Sequence, residues 1–167
     1  MKLLIYTLVI LFSIPAFGAG SALNSYECEK SKIKYDDGDS FTCGEEQIRV
    51  LGMDTPEITH KEHGISIDQP FGREATKMTN DLLKAAKRVI IIRSKKDMYG
   101  RTLAHVLIDG ELLSVKLIKA SLAYETISHY GDNGFREFAL QITEAAKSAP
   151  KPKFDPPYLW RRKHQKK

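Results

Sequence analysis

Between Glu29 and Tyr35 charged residues interleave with Ile33 and Tyr35 at period two, and Asp36-Asp37-Gly38-Asp39 then breaks the pattern before Ser40-Phe41-Thr42-Cys43. Alternation, a turn and renewed alternation predict a β-hairpin. Gly44-Glu45-Glu46 makes a second turn into a third strand over residues 47–53, which stops before Pro56. Residues 60–69 lack periodicity and read as an exposed loop. After Pro70-Phe71-Gly72 the residues Ala75, Met78, Leu82, Leu83 and Ala86 recur at the spacing of one buried helical face. A β-branched strand follows over residues 88–93, a turn over Asp97-Met98-Tyr99-Gly100, and a fifth strand over residues 101–108 closed by Asp109-Gly110. Two further helices are predicted, over residues 114–122 and 135–147, with residues 128–134 as loop.

Five strands with a helix after the third, and helices closing the far end, predict an α+β fold that is mainly β barrel: a five-stranded OB-fold Greek-key barrel with about three helices. This domain is expected over residues 26–149. Ahead of it, Lys2, the apolar run from Leu3 to Phe12, Pro15 and the small residues Ala16, Gly18, Ala19 and Gly20 have the layout of a secretory signal peptide, taken as residues 1–19. The apolar stretch is shorter than the roughly 20 residues that span a bilayer, which argues against a membrane anchor. A secreted or periplasmic protein without stable membrane association is expected.

Composition narrows this little: 42% hydrophobic and 28% charged residues suit one ordinary globular domain. Charge is more informative by position than in sum. The net +5 is concentrated in residues 150–167, where seven Lys or Arg stand against Asp155 alone, so the rest of the chain is close to neutral. That tail, with Pro150, Pro152, Pro156 and Pro157, reads as extended and solvated, a source of long-range attraction for phosphate. Two cysteines cannot complete a zinc site, and in an oxidising compartment Cys28 and Cys43 are expected to form a disulfide.

Asp36, Asp37, Asp39, Asp54 and Glu57 crowd into a short stretch with Arg49 among them. Packed carboxylates repel unless a cation neutralises them, and an all-oxygen set without His or Cys suits a hard ion such as calcium or magnesium. Arg49 and Arg101 both fall on predicted strands, where a planar guanidinium can grip a phosphate through two hydrogen bonds. A cation, two arginines and a spare carboxylate are what phosphodiester hydrolysis requires. Strict alternation would put Arg49 and Asp54 on opposite faces of the third strand, so a bulge near Gly52 is expected.

Asp37-Gly38-Asp39-Ser40, Arg49 through Glu57 (RVLGMDTPE), Gln69 through Ala75 (QPFGREA) and Asp97-Met98-Tyr99-Gly100-Arg101 resemble the staphylococcal nuclease (thermonuclease) family in identity, order and spacing. The resemblance extends from about Cys28 to Lys147, and the ending Pro156-Pro157-Tyr158-Leu159-Trp160-Arg161-Arg162 looks like that of secreted bacterial members. It implies one calcium ion held by Asp39, Asp54 and the Thr55 carbonyl, with Asp37 acting from behind them. It further implies Glu57 as the water-orienting residue or general base, Arg49 and Arg101 as phosphate clamps, and Tyr99 at the substrate. The implied reaction is cleavage of DNA or RNA by a monomer to leave 3′-phosphate ends. Ser40 stands where Thr is usual, and Met98 where the founding nuclease has Lys. Tyr124 and Tyr130 both fall near the place of a second pocket tyrosine. The competing expectation is a non-catalytic nucleic-acid-binding OB module, which would need a platform of aromatic residues rather than this set.

Overall fold

The computed structural model describes residues 24–165; the signal peptide expected over residues 1–19 lies outside the described residues. In chain order the strands are β1 (Ser25–Glu27), β2 (Ile33–Tyr35), β3 (Ser40–Cys43), β4 (Glu46–Val50), β5 (Met53–Asp54), β6 (Val89–Lys96), β7 (Thr102–Ile108), β8 (Glu111–Leu112) and β9 (Tyr124–Glu125). The helices are α1 (Gly72–Ala85), α2 (Leu113–Lys119), α3 (Ile127–Tyr130), α4 (Arg136–Ser148) and α5 (Pro157–His164).

The main sheet runs β1-β6-β7-β4-β3-β2, with β8 added beside β7. The five expected strands therefore lie in the order first, second, third, fifth, fourth. The third and fifth, β4 and β7, are the parallel pair, with Ile48 opposite Thr102. This is the curled sheet of an OB-fold α+β barrel. Its interior is filled from alternate strand positions, Phe41, Ile48, Val50 and Ile91 among them, and closed by Leu117 of α2 and Ile142 of α4. Helix α1 buries Gly72, Ala75, Thr79 and Leu83, one face at three- and four-residue spacing.

Cys28 and Cys43 are joined, their Cα atoms 6.1 Å apart. Cys28 lies just beyond β1, its N–H donating to Val89 O at 2.8 Å, so the bond ties the β1–β6 edge to the end of β3. Closing 15 residues, it removes unfolded-chain entropy worth about 3 kcal/mol.

The helices number five among the described residues rather than about three. Helix α3 is a single turn in the segment expected to be loop, and α5 lies in the tail expected to be extended. The prolines mislead because Pro157 sits in the first turn of α5, where a missing N–H costs no helical hydrogen bond. Phe154 and Pro157 are buried, so this segment is packed against the barrel. The loop over residues 60–69 is also more ordered than expected: it carries a 3-10 turn at Lys61–His63, and buried Ile65 bridges both His60 and Gln165.

Candidate active site

Three elements meet at one end of β4. The turn between β2 and β3 brings Asp37 and Asp39, β4 brings Arg49, and β5 with the chain after it brings Asp54, Thr55 and Glu57. Arg49 and Asp54 share a face because β4 and β5 are separated by a turn at Leu51-Gly52, where Gly52 takes a φ of 83°. The expected interruption is thus a full break in the strand. The positive φ favours glycine at position 52, and an added Cβ would also press on the end of the Ile142 side chain. At Gly38 an added Cβ would stand 2.6 Å from Thr55 Oγ1, and Thr79 Oγ1 of α1 donates to Gly38 O at 2.6 Å. Glycine here lets the Asp37–Asp39 turn lie directly on Thr55, and α1 pins it there.

Asp39 is almost wholly buried. Its Oδ2 accepts the Thr55 N–H at 2.9 Å, and its Oδ1 accepts Arg49 Nη1. Arg49 Nη2 donates to Asp54 Oδ1 at 2.7 Å, so one guanidinium bridges two carboxylates. Asp37 does not touch Arg49; its Oδ1 accepts the Asp39 N–H at 3.0 Å and shapes the turn. Glu57 is fixed through its backbone by Gln69, whose Oε1 accepts the Glu57 N–H at 3.2 Å and whose N–H donates to Glu57 O at 2.8 Å.

Arg161, which the sequence reading leaves unassigned, reaches this cluster from α5. Its Nη2 donates to Asp54 Oδ2 at 3.0 Å, and its Nη1 to Asp54 Oδ1 at 3.2 Å and to Glu57. Its pairing with Asp54 spans 107 residues of sequence. Gln69, also unassigned from sequence, belongs to the QPFGREA motif, and that motif is its signal in the sequence.

Arg101 and Tyr99 stand on the β6–β7 turn, and Arg101 is paired there rather than with Asp39, Asp54 or Glu57. Arg101 precedes β7 and pairs with Asp97 at 2.8 Å, with its guanidinium 5.6 Å from the centroid of the Tyr99 ring. Because Thr102 lies opposite Ile48, Arg101 is one strand across from the start of the Arg49 segment. Tyr99 and Met98 are strongly exposed at the tip of this turn. Tyr124 lies opposite Asp54 in the β5–β9 pair, but its hydroxyl donates to Phe154 O at 2.7 Å; Tyr130 is exposed on α3.

Burial raises the Asp39 carboxyl to about 7, with Asp37 and Asp54 adding to the rise against the pull of Arg49. Burial likewise raises Asp37 and Glu57, the latter opposed by Arg161. Two guanidinium groups, Arg49 and Arg161, face the carboxylates of Asp39, Asp54 and Glu57, with Asp37 beside them. The crowding of these carboxylates and the all-oxygen donors of Asp39 and Asp54 fit a hard divalent cation. Among the described residues, the one set of three possible metal-ligating side chains within 4.8 Å of each other is His60, Glu62 and His63, a nitrogen-bearing group on the neighbouring loop. At the acidic cluster, arginines occupy the space between the carboxylates.

A raised carboxyl binds its proton more tightly in the folded than in the unfolded state, so its stabilising effect is complete below the unfolded value and is lost as pH rises through the folded one. For Asp39 that window runs from about 4 to about 7. Glu46, held down to about 2 by its hydrogen bond to Arg93, loses its own contribution only below that window. The chelator-treated protein is therefore expected to melt at a higher temperature near pH 5 than near pH 7.5. A flat or rising melting temperature would show these carboxylates to be ionised throughout.

An OB barrel presenting buried carboxylates and a bridging arginine at one end has the groups by which a protein handles a cation and a phosphate together. Residues 47–154 match the family described as staphylococcal nuclease homologue. The chain is 34% identical to a thermonuclease of Staphylococcus intermedius, covering 71% of this chain and 65% of that protein. It is 33% identical to a thermonuclease of Staphylococcus hyicus, over 81% and 79% respectively. It is also 33% identical to endonuclease YncB of Bacillus subtilis, covering 65% of this chain and 54% of that protein. The chain belongs to the staphylococcal nuclease family.

Proposed function

We propose that this protein is an exported, calcium-dependent nuclease that hydrolyses phosphodiester bonds of DNA or RNA as a monomer and leaves 3′-phosphate ends. The observation that carries the reading is the convergence of Asp39, Arg49, Asp54 and Glu57 at one end of the barrel. Membership of a family whose named relatives are thermonucleases and endonucleases supports it. The apolar leader and the disulfide support export.

Asp39, Asp54 and the Thr55 carbonyl would hold one calcium ion, with Asp37 keeping Asp39 in place through its N–H. When bound, the ion would act as a Lewis acid toward a phosphate oxygen. Glu57 orients the attacking water and takes its proton, a role suited by a raised carboxyl whose backbone Gln69 holds on both sides. Arg49 donates to the phosphate from within the cluster. Arg101, with Asp97 as its resting partner, turns toward the opposite side of the phosphate, where charge grows during attack. Tyr99, exposed beside Arg101, contacts the nucleotide next to the cut.

The test is digestion of single-stranded DNA, duplex DNA and RNA by the purified protein in calcium, in magnesium and in chelator. Cleavage in calcium that stops in chelator is expected, with products that a polymerase extends only after phosphatase treatment. Binding without cleavage in every metal would make the chain a nucleic-acid-binding module instead.

A further inference from the structure

We infer that Arg161 is a built-in counter-cation of the active site, one that competes with calcium for Asp54 and keeps hold of Glu57 once the metal has bound. This rests on the calcium reading above. The first support is how firmly α5 is docked. Ahead of the helix, Phe154 packs against Tyr124 and Phe71, with ring centroids 5.4 and 5.8 Å away, and the Gln69 amide donates to Asp155 O at 2.6 Å. Beyond the helix, Gln165 donates to His63 O at 2.8 Å and bridges Ile65. Both ends of α5 are thus fixed, and Arg161 is aimed at the carboxylates from between them.

The second support is occupancy. Asp54 has two oxygens and both are engaged: Oδ1 by Arg49 and Arg161, Oδ2 by Arg161. A metal ion bound to Asp54 needs one of them. Arg49 is the less able to yield, since it lies within a strand and is anchored through its other nitrogen to Asp39. Arg161 stands on a surface helix and has a second partner in Glu57, so it can leave Asp54 without losing every carboxylate. Removing Arg161 deletes both a competitor for Asp54 and a positive charge beside the metal site, and both changes favour the ion.

The consequence has opposite signs on two observables, which separates it from a structural role. Arg161→Gln is expected to bind calcium roughly tenfold more tightly by isothermal titration, a coupling of ordinary size between two linked sites. Its turnover is expected to fall, because Glu57 loses the guanidinium that holds it. Trp160, the only tryptophan, adjoins Arg161, so calcium is expected to change its fluorescence in the wild type and to change it less in the variant. Calcium binding to the wild type with equal or weaker binding to Arg161→Gln would overturn the inference while leaving the calcium site standing. No calcium binding to the wild type would remove the calcium reading itself, and this inference with it.

Discussion

Glu57→Gln is expected to lower kcat by roughly 10²–10⁴-fold, the usual range for loss of a general base, while leaving nucleic-acid affinity nearly unchanged. The substitution keeps the shape of the side chain and can still accept a hydrogen bond from Arg161. The backbone contacts to Gln69 do not involve the carboxylate, so the segment stays in place. What is lost is the capacity to take a proton. Because burial raises Glu57 against the opposing pull of Arg161, the acid limb of the wild-type kcat/KM profile is expected above the ordinary carboxylate range. The part of that limb due to Glu57 should disappear in Glu57→Gln, leaving the part set by Asp39. Single-turnover cleavage across pH measures both effects, and turnover within tenfold of the wild type would assign the water to another group.

Deleting residues 150–167 is expected to cost about 4–6 kcal/mol of stability as well as most activity. Removing the buried Phe154 side chain alone is worth about 3 kcal/mol or more by comparison with core Phe→Ala changes. The hydrogen bonds from Gln69 and Tyr124 to the tail backbone add about 1 kcal/mol each. Urea unfolding of the two forms measures this through a lower midpoint at similar slope. A tail acting only as a basic tether would leave the midpoint unchanged and alter only KM and its salt dependence. The structure favours the larger effect, because the segment supplies Arg161 to the site and covers the Gln69 side chain that also holds Glu57.

This segment marks where the sequence was least legible. The barrel strands and helices α1 and α4 were visible because their burial repeats at two or 3.6 residues over several turns. Strand β1 was missed because three residues at a sheet edge carry no period. Helix α5 escapes the pattern because its prolines stand before and within its first turn, where they are compatible with a helix although they signal extension elsewhere. Arg161 was hidden by averaging: in a run with Lys163, Lys166 and Lys167 it counted as one more positive charge, though it alone of these reaches Asp54 and Glu57 among the described residues. The clustering of Asp37, Asp39, Arg49, Asp54 and Glu57 was legible because most lie within two turns of one meander. The pairing of Arg101 with Asp97 was not, since it depends on side-chain geometry within the turn.

The chain order of the site also sets when it can be assembled. Asp54 and Glu57 precede Arg161 by more than a hundred residues, and every other assigned residue of the site precedes it too. At typical synthesis rates of about 5–20 residues per second, the intervening 104 residues take about 5–20 s to make. Throughout that interval a growing chain has its acidic cluster but not the helix that completes it. A chain still being synthesised thus carries Asp54 and Glu57 before the arginine that spans them exists.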